Sequence, residues 1–583
     1  MHFFKSHTAK TLVILTVLPI TSSLFADTIE GRRSKLLEVL SSPELLKMND
    51  FSGTTYSPRR QWQYYHACLA RGIRLQEANE YFAHSNDIEA DEWPVLTYLR
   101  TYLKFKDTLL KRPARTRFEG IFREYRQSHG RGKNPEQHGT KGNHSIVAFS
   151  TYLLIDQMLG GGDKRDVVTD KFITWVQVQG REARDEVHSP HYLERSLLPL
   201  MNLFDFHADP KIRRWAQMAI DQMMAEFALT SLKNVRGGPW CRAHQYHAPF
   251  VEEHNDGTHD SFYVMGYLFF GGSRRPAYVM TNQILSYGFI TTTNYRPPAV
   301  LIDLASAAAK GSYEYRAHCI PVSSPQPEWD MYYYVTPSFC LSALQDRVEL
   351  DNHQTNGRTR DYVNTQVWEL TFSDPRKILG PKRDLRISTG DINNKVEINN
   401  INTVHMQYKN VLLFRGDFMD YNLNLHEGGA HHAENVIRNR KSYHFWAVNT
   451  TEGLIYVGIT HFLDFSNGKN GILEVCPAHE FDSFEDFQKA IKHTSSKCEG
   501  KGNLISYVST RGDTITYQNP TGRPGAGQAV VNGSEFSLHG YDLYDSPFMK
   551  SAHGSGLISV TFQNKSLLLD FRDRHHPLRE ESP

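Results

Sequence analysis

The feature that most constrains the fold is a change in the spacing of apolar residues near residue 300. Before it, from about residue 30, apolar residues recur at the helical period. After it, they occur in short β-rich runs that turn residues interrupt. A run of helices followed by a run of strands favours separate domains over a parallel α/β sheet. The sequence therefore predicts an α+β multidomain protein, helical over residues 27–300 and antiparallel β over residues 301–583.

The helical half contains two well-marked helix starts. Asp209 and Pro210 match an N-cap followed by proline at the first helical position. Behind them, one apolar face is predicted to be buried, formed by Ile212, Trp215, Ala219, Met223 and Phe227. A second helix is predicted to open at Asn143, with a similar stripe formed by Ile146, Phe149, Leu153 and Gln157.

The second half reads as antiparallel sheets packed face to face. Turn-rich clusters such as NTTEG, SNGKNG and NPTGRPGAG separate its β-rich runs. The clearest of these runs are TQVWELTF from Thr365, NVLLFRGDF from Asn410, SYHFWAVN from Ser442, GLIYVGITHFLDF from Gly453 and GLISVTFQNKSLLLDF from Gly556. Proline-rich stretches around residues 295–329 predict the joint between the halves.

The amino terminus has the pattern of a signal peptide. Lys5 and Lys10 precede an apolar run over residues 11–20, and small and polar residues follow to Ala26. We expect residues 1–26 to be removed and the mature protein to be secreted or periplasmic. No later apolar run is long enough to span a bilayer, so no membrane span is expected in the mature protein.

The charge balance excludes one class of partner. Lys and Arg total 65 and Asp and Glu total 64 among 583 residues, for a net charge of +1. Such a chain has no broad basic surface for nucleic acid, and an anionic substrate would need a local basic site. The six cysteines do not make a disulfide framework; Cys476 and Cys498 could close one loop or remain isolated thiols.

The segment WCRAHQYHAPFVEEHNDGTHDSF, from Trp240 to Phe262, crowds histidines, acids, an arginine and a tyrosine together. A metal site is one reading, because His244 and His247 are three residues apart, although HExxH and CxxC motifs are absent. Proton transfer is a second reading. A free tyrosine has a pKa of about 10, which nearby positive charge from Arg242 and the histidines would lower at Tyr246. A polar loop is the third.

Two other polar groups stand at predicted helix starts. His191 and Tyr192 precede an apolar helix in HSPHYLERSLLPL, and Asn143 and His144 open another in KGNHSIVAFSTYLL. Helix starts place polar side chains at one end of a helical layer, where they can converge on a cleft.

These residues and this domain order resemble polysaccharide lyases of the alginate lyase, heparinase II/III and chondroitin or hyaluronate lyase groups. In those enzymes a helical (α/α) toroid precedes an antiparallel β-sandwich, and an Asn, a His, a Tyr and often an Arg catalyse β-elimination. Their His and Tyr are roughly fifty-five residues apart, and the numbers of His191 and Tyr246 differ by 55. The segment MYYYVTPSFCLSALQDRVELDNHQTNGRTRDYVNTQVWEL, from Met331, is similar in rhythm to the first sandwich strands of the hyaluronate lyase group. No HGHAD-like heparinase signature is present, so the closest likeness is to alginate and glucuronan lyases.

The resemblance implies a role for each candidate residue. Asn143 and Arg242 would neutralise a uronate carboxylate, and His191 and Tyr246 would act as acid and base. Further substrate contacts would come from His144, Tyr192, His244, His247, His431 and His432, the last two on a loop (GGAHHAEN) of the β half; His405 is a weaker candidate. The implied partner is an anionic polysaccharide (alginate, glucuronan or glycosaminoglycan), with no cofactor required and a structural divalent metal left open.

Two other function classes stay open on the sequence alone. A glycoside hydrolase on a helical toroid would need paired carboxylates, which could come from Glu252, Glu253, Asp256 and Asp260. A non-catalytic polysaccharide-binding protein of the cell envelope could use some of the aromatic residues, 12% of the chain, to stack on sugar rings.

Overall fold

The structure is a computed structural model of the chain. It describes residues 28–47, 58–86, 90, 92–127, 134–160, 162–183, 193–232, 235–239, 261–271, 287–306, 311–319, 328–346, 368–373, 378–381, 404–415, 421–423, 431–432, 441–462, 470–496, 498–501, 504–519 and 525–582. The predicted signal peptide lies outside these ranges.

Helices dominate the described chain up to Leu304. They are α1 Ile29–Leu40, α2 Glu44–Lys47, α3 Pro58–Arg71, α4 Leu75–His84, α5 Glu92–Phe105, α6 Arg112–Gln127, α7 Asn143–Leu159, α8 Arg165–Glu182, α9 Leu193–Phe206, α10 Pro210–Thr230, α11 Ser261–Phe270, α12 Tyr287–Ile290 and α13 Ala299–Leu304. A further helix, α14 Phe484–Ser496, lies within the half for which the sequence predicted strands.

Helix α10 begins as the sequence predicts. Pro210 is its first residue, and the side chain of Asp209 accepts a hydrogen bond from the backbone N–H of Lys211 at 2.8 Å. This bond satisfies one of the amide groups that a helix start leaves without an intrahelical partner. All five apolar residues of the predicted stripe are buried.

Helix α7 is buried more completely than its predicted stripe. Every residue from Ser145 to Asp156 is buried, on all sides of the helix. The reason is its position, since α7 contacts α5, α6, α8 and α9. A helix surrounded in this way has no solvent-facing side, and its residues therefore carry no strong one-sided pattern.

Helices α7 and α9 run in the same direction. The Ser150 hydroxyl of α7 donates to the carbonyl oxygen of Pro199 in α9 at 3.0 Å. Two turns later, Gln157 Nε2 donates to the carbonyl oxygen of Phe206, also at 3.0 Å. Both bonds join residues 49 positions apart, which requires parallel helices.

Three more helices share this direction. Trp62 of α3 packs on Tyr98 of α5 with ring centroids 5.3 Å apart, and one turn later His66 hydrogen-bonds Thr101 at 2.9 Å. Asn202 of α9 donates to the Leu96 carbonyl of α5 at 3.1 Å. Helix α11 joins the set because its Phe269 and Phe204 of α9, both near helix C-termini, flank Tyr295 at 5.7 and 5.9 Å.

The helices between them return in the opposite direction. At the start of α8, the backbone N–H of Lys164 donates to the Tyr152 hydroxyl of α7 at 3.3 Å. Farther along α8, Trp175 Nε1 donates to the carbonyl oxygen of Gly142, just before α7 begins, at 3.1 Å. Contacts join α1 to α3, α3 to α5, α5 to α7, α7 to α9, α9 to α11, and α11 back to α1.

A buried ionic network joins the C-terminal ends of the parallel helices. The guanidinium of Arg100 in α5 is fully buried, and its Nη2 lies 2.6 Å from Asp205 Oδ2 in α9. Its Nη1 donates to Asn202 Oδ1 at 2.9 Å, and its Nε donates to the Phe289 carbonyl oxygen at 2.6 Å. Asp205 also accepts the backbone N–H of Asn294 at 3.0 Å. The two charged side chains at this end of the helical half are therefore shielded from solvent.

The second half consists mainly of strands. They are β3 Tyr313–Cys319, β4 Trp329–Val335, β5 Phe339–Leu344, β6 Trp368–Phe372, β7 Ile378–Pro381, β8 Val404–Tyr408, β9 Val411–Arg415, β10 Tyr421–Leu423, β11 His431–His432, β12 Lys441–Thr450, β13 Gly453–Phe462, β14 Asn470–Pro477, β15 Glu499–Lys501, β16 Leu504–Val508, β17 Thr514–Gln518, β18 Gln528–Val531, β19 Ser534–Phe536, β20 Tyr544–Asp545, β21 Met549–Ser551, β22 Leu557–Phe562, β23 Lys565–Asp570 and β24 Leu578–Ser582. A short hairpin in the helical half supplies β1 Ser231–Leu232 and β2 Val235–Arg236.

The paired strands are antiparallel throughout the described ladders. One sheet has the order β10-β7-β6-β5-β4-β3-β20-β21-β22-β23-β24, a second β11-β12-β13-β14-β9-β8, and a third β15-β16-β17-β18-β19. Each of the five β-rich runs quoted from the sequence overlaps at least one of these strands. The predicted mixed α+β class is confirmed.

Helices α8 and α10 pack against the largest sheet. An added Cβ at Gly180 of α8 would lie 2.4 Å from Cγ of Phe571, so only glycine lets the Phe571 side chain pack this closely on the helix. The fully buried Asp221 of α10 accepts a hydrogen bond from Arg579 Nε of β24 at 2.6 Å and another from the Tyr295 hydroxyl at 2.6 Å. Burial raises the pKa of Asp221 to about 6, although the charge of Arg579 opposes the shift.

Asp346, just beyond β5, ties the third sheet to the largest one. Its carboxylate accepts the Tyr517 hydroxyl at 2.5 Å, Asn519 Nδ2 at 3.1 Å and the Gly527 backbone N–H at 2.5 Å. His539 Nε2 lies 3.1 Å from Oδ2 of the same carboxylate. A carboxylate with this many donors is well suited to burial.

Two findings concern the wider chain. Among the helices that the structure describes, none is both long and apolar enough to cross a membrane. Cys68, Cys340 and Cys476 are free thiols. The disulfide that the sequence left open for Cys476 and Cys498 is therefore not formed.

Candidate functional site

The N-terminal ends of the parallel helices lie together, at the end opposite the Arg100 network. The first residues there are Glu92 of α5, Asn143 of α7, Leu193 of α9 and Ser261 of α11. Backbone N–H groups at helix starts carry partial positive charge, so several such starts side by side favour an anion.

The start of α7 is built around glycine and asparagine. Its N-cap is Gly142, whose φ of 92° suits glycine and which offers no side chain for capping. Asn143 follows as the first helical residue and is 5% exposed. An N-cap role, the ordinary explanation for an asparagine at a helix start, therefore does not account for Asn143. No acidic residue lies in the first turn of α7.

His144, Trp93 and Arg195 come together beside Asn143, and we call these three residues the Trp93 cluster. The guanidinium carbon of Arg195 in α9 lies 4.5 Å from the ring centroid of Trp93 in α5. The His144 ring meets Trp93 at 5.3 Å in an edge arrangement. His144 is exposed, and Trp93 and Arg195 are half-buried. The cluster therefore combines an aromatic ring with a cation at an accessible helix end.

The charges around this end are mixed. Burial, followed by the positive charges of His144 and Lys171, lowers the pKa of His138. Lys141, before α7, is paired with Glu182 at the end of α8. Glu194, in the first turn of α9, is 1% exposed. Of these acids, Glu182 is paired and Glu194 is buried.

Several residues predicted for the site lie outside the described ranges. They are His191, Tyr192, Arg242, His244, Tyr246 and His247. The described residues that flank them are nevertheless informative. Leu193, directly after His191 and Tyr192, starts α9, and Ser261, after the segment with Arg242 and Tyr246, starts α11. Both flanking residues lie at the same helix end as Asn143.

The residues just before the segment with Arg242 and Tyr246 are held at the helix–sheet junction. The backbone N–H of Gly238 donates to Glu369 Oε1 of β6 at 3.0 Å, and both residues are buried. An added Cβ at Gly237 would lie 2.8 Å from the Cys340 sulfur of β5. The chain is therefore anchored to the β half immediately before Trp240.

The histidines of the β half differ from their sequence interpretation. The sequence predicted a loop at GGAHHAEN, but His431 and His432 form β11 and pair with Trp446 and Phe445 of β12. The loop prediction is wrong for these two residues because they continue an edge of the second sheet. His405 is fully buried, and burial lowers its pKa to about 3, so it belongs to the core.

Metal binding finds no support in the described part of the chain. Within those residues, no group of three or more His, Cys, Asp or Glu side chains could hold a metal ion. The possible zinc ligands of the Trp240–Phe262 segment lie outside the described ranges, so that alternative stays a prediction.

Sequence reasoning missed Trp93, Glu194 and Arg195. Their signal was weak, because one tryptophan opens EWPVLTYLRTYLKF and one Glu-Arg pair opens LERSLLPLMNLFDF. Only the parallel arrangement of α5, α7 and α9 brings these first turns together. Knowing the direction of each helix would have been sufficient to place them beside Asn143.

Comparison with known proteins identifies no relative: no protein-family model matches the chain, and no curated protein matches it. The interpretation of the site therefore depends on its residues and on the fold.

Proposed function

We propose that the protein is a polysaccharide lyase that cleaves a uronic-acid-containing polysaccharide by β-elimination. The proposed catalytic residues are Asn143, His191, Arg242 and Tyr246. The proposed substrate contacts are His144, Tyr192, His244, His247, His431 and His432. We further propose that the signal peptide directs the mature protein to the periplasm or the exterior, and that the reaction needs no cofactor.

The proposal includes a finer description of the fold. The helical half would be an (α/α) toroid, in which α1, α3, α5, α7, α9 and α11 form the inner ring. Two facts support this arrangement: contacts run from each of these helices to the next and from α11 back to α1, and α7 is buried on all sides. The sheets of the second half would then form a β-sandwich beside the ring.

One observation carries the functional proposal. Asn143 lies at the same helix end as Leu193 and Ser261, the residues that follow the segments containing His191 and Tyr246. The Asn, His, Tyr and Arg that β-elimination uses therefore belong to chain segments that join the helices at this end. The opposite end holds the buried Arg100 network, so we place the mouth of the helical half at the end of Asn143.

The chemistry explains why these residue types are needed together. The C5 proton of a uronate is hard to remove while the neighbouring carboxylate is charged, because a second negative charge would form beside the first. Hydrogen bonds from Asn143 and Arg242 to that carboxylate would stabilise the developing charge. The positive ends of the helices would act in the same sense.

Proton transfer completes the reaction. A base removes the C5 proton, the C4–O4 bond breaks, a C4–C5 double bond forms, and an acid protonates the departing O4. His191 and Tyr246 would divide these roles, or Tyr246 would perform both on one face of the sugar. A tyrosine surrounded by Arg242 and histidines is better suited to act as a base than an isolated one, because positive charge favours the phenolate.

The test measures the ultraviolet absorbance of the C4–C5 double bond conjugated with the carboxylate. The purified protein is incubated with polymannuronate, polyguluronate, glucuronan, hyaluronan, chondroitin and heparin. We expect absorbance to rise with at least one polymer. Asn143→Ala should then lower kcat/KM by about 100- to 1,000-fold, the usual effect of removing one donor from a developing oxyanion, and Tyr246→Phe should abolish turnover.

The matched control is Asn134→Ala. Asn134 lies in the chain leading to α7, and its side chain caps a short turn by accepting the Glu136 backbone N–H at 3.1 Å. Its loss should leave activity unchanged. New reducing ends without ultraviolet absorbance would show hydrolysis and overturn the proposal, as would full activity in Asn143→Ala with an unchanged melting temperature.

A further inference from the structure

A buried carboxylate of the β half holds the chain just before Trp240. Glu369, in the second position of β6, is fully buried. Its Oε1 accepts one hydrogen bond from the Gly238 backbone N–H at 3.0 Å and another from the Thr371 hydroxyl. Hydrogen bonds to a charged group are roughly twice as strong as neutral ones. The bond from Gly238 therefore ties the chain that follows α10 securely to the β half.

The same stretch of chain is held from the helical side. Strands β1 and β2 pair Ser231 with Arg236. Nε of the buried Arg236 donates to the Thr230 hydroxyl at 2.9 Å, and the backbone N–H of Gly237 donates to the Thr230 carbonyl oxygen at 3.0 Å. Thr230 is the last residue of α10. Residues 236–238 are therefore attached to the end of α10 on one side and to β6 on the other.

Close packing leaves these residues little room to shift. An added Cβ at Gly237 would lie 2.8 Å from the Cys340 sulfur of β5. Burial raises the pKa of the Cys340 thiol, Glu369 raises it further, and Arg236 opposes the rise. Opposite charges thus act within one buried region of the junction. Packing alone does not require them, because apolar side chains of similar volume often give the same stability.

We infer that Glu369 is a positioning residue, which through Gly238 sets the point from which the segment with Arg242 and Tyr246 departs. Both of those residues follow soon after Gly238 in the chain. The role of Arg242 and Tyr246 in catalysis rests on the proposed function, whereas the anchor itself does not. A displacement of about 1 Å at a catalytic group can lower a rate about 100-fold. A bond outside the site can therefore control turnover.

The test removes the acceptor and keeps the side-chain volume. Glu369→Met leaves the Gly238 N–H without its partner and should lower kcat about 100-fold on the uronate polymer that the wild type cleaves. Glu369→Gln keeps an oxygen acceptor for the same N–H and should recover most of this loss. If Glu369→Met does not fold, Glu369→Asp replaces it. Aspartate keeps the charge but withdraws the carboxylate by one methylene, so its kcat should lie between those of the other two variants.

The matched control is Glu474→Met. Glu474 of β14 is also fully buried, and its carboxylate accepts the hydroxyl groups of Thr510, at 2.6 Å, and Tyr507. Tyr507 belongs to β16 of the third sheet, and Thr510 follows that strand. Glu474→Met should therefore lower the melting temperature, as Glu369→Met does, but it should leave kcat unchanged. The comparison separates a general loss of stability from a loss of positioning.

Trypsin cleavage after Arg242 gives a readout that needs no activity. Mass spectrometry of the protein digested under native conditions should show faster cleavage there in Glu369→Met than in the wild type or in Glu474→Met. Absence of elimination by the wild type would refute the lyase, while faster cleavage in Glu369→Met would still support the anchor.

Three results would overturn the inference. One is wild-type kcat in Glu369→Met. Another is an equal loss of kcat in Glu369→Met and Glu474→Met, which would show a general effect of destabilising the β half. The third is the same rate of cleavage after Arg242 in all three proteins, which would overturn the anchor whether or not the wild type is a lyase.

Discussion

Removing the negative charge of Asp205 should destabilise the helical half strongly. In Asp205→Asn the volume and the acceptor for the Asn294 N–H are kept, but the charge opposite Arg100 is lost. Both side chains have zero exposure, and their closest atoms are 2.6 Å apart. Leaving one member of a buried ion pair without its counter-charge costs about 3–5 kcal/mol. We therefore expect a loss of that size in the free energy of unfolding.

The assay is urea denaturation followed by far-ultraviolet circular dichroism, which reports the helices. The second variant, Arg100→Met with Asp205→Asn, removes both charges and should be more stable than Asp205→Asn alone by about 2 kcal/mol. The control is Glu77→Gln, which breaks the pair with Arg74, whose side chains are 42% and 55% exposed. That pair joins two exposed side chains, so its loss should change stability little.

A loss below about 1 kcal/mol in Asp205→Asn would place the pair among surface salt bridges and refute the reasoning. The same conclusion would follow if the double variant were less stable than the single one. Either result would mean that water reaches Arg100.

Two further predictions concern packing and pH. Gly180→Ala should lower the free energy of unfolding by about 1–3 kcal/mol, since its Cβ would overlap Phe571. Gly120→Ala in α6, where the added Cβ meets open space, should instead raise it by about 0.5–1 kcal/mol. A shift of the melting temperature in the same direction for both variants would contradict this. Burial lowers the pKa of His405 to about 3, so as pH falls below about 6.5 the unfolded chain binds a proton that the folded chain does not, and stability is lost. Between pH 7 and pH 5 this loss should be about 2 kcal/mol and should disappear in His405→Gln, as urea denaturation at each pH would show.

Local signals in the sequence were reliable where one segment determines its own structure. Asp209 and Pro210 define the start of α10 because the cap and the fixed proline φ act within one turn. Asn143 likewise marks the first residue of α7, as its position in KGNHSIV predicted. The strands β12 and β13 follow from β-rich runs divided by a turn cluster.

Contacts between residues far apart in the sequence could not be predicted from local signals. Arg100 stands in an otherwise apolar helix, and its partners Asn202 and Asp205 follow more than 100 residues later. The stripe of α7 suggested one buried face, although neighbours cover it on every side. Half of the proposed catalytic constellation, His191 and Tyr246, could be selected only by resemblance. Trp93 and Arg195 could not be selected at all before the helices were oriented.

The contact between Asp221 and Arg579 has a consequence for how the protein is made. The two residues are 358 positions apart, yet Arg579 supplies the cation for a carboxylate buried in the helical half. A nascent chain emerging amino terminus first would hold all of α10 long before β24 exists. During that interval Asp221 is buried without its counter-charge or stays open to water. Folding of the helical half is thus coupled to the arrival of the last strand, and a ribosome-bound chain would present an incompletely folded interior to chaperones.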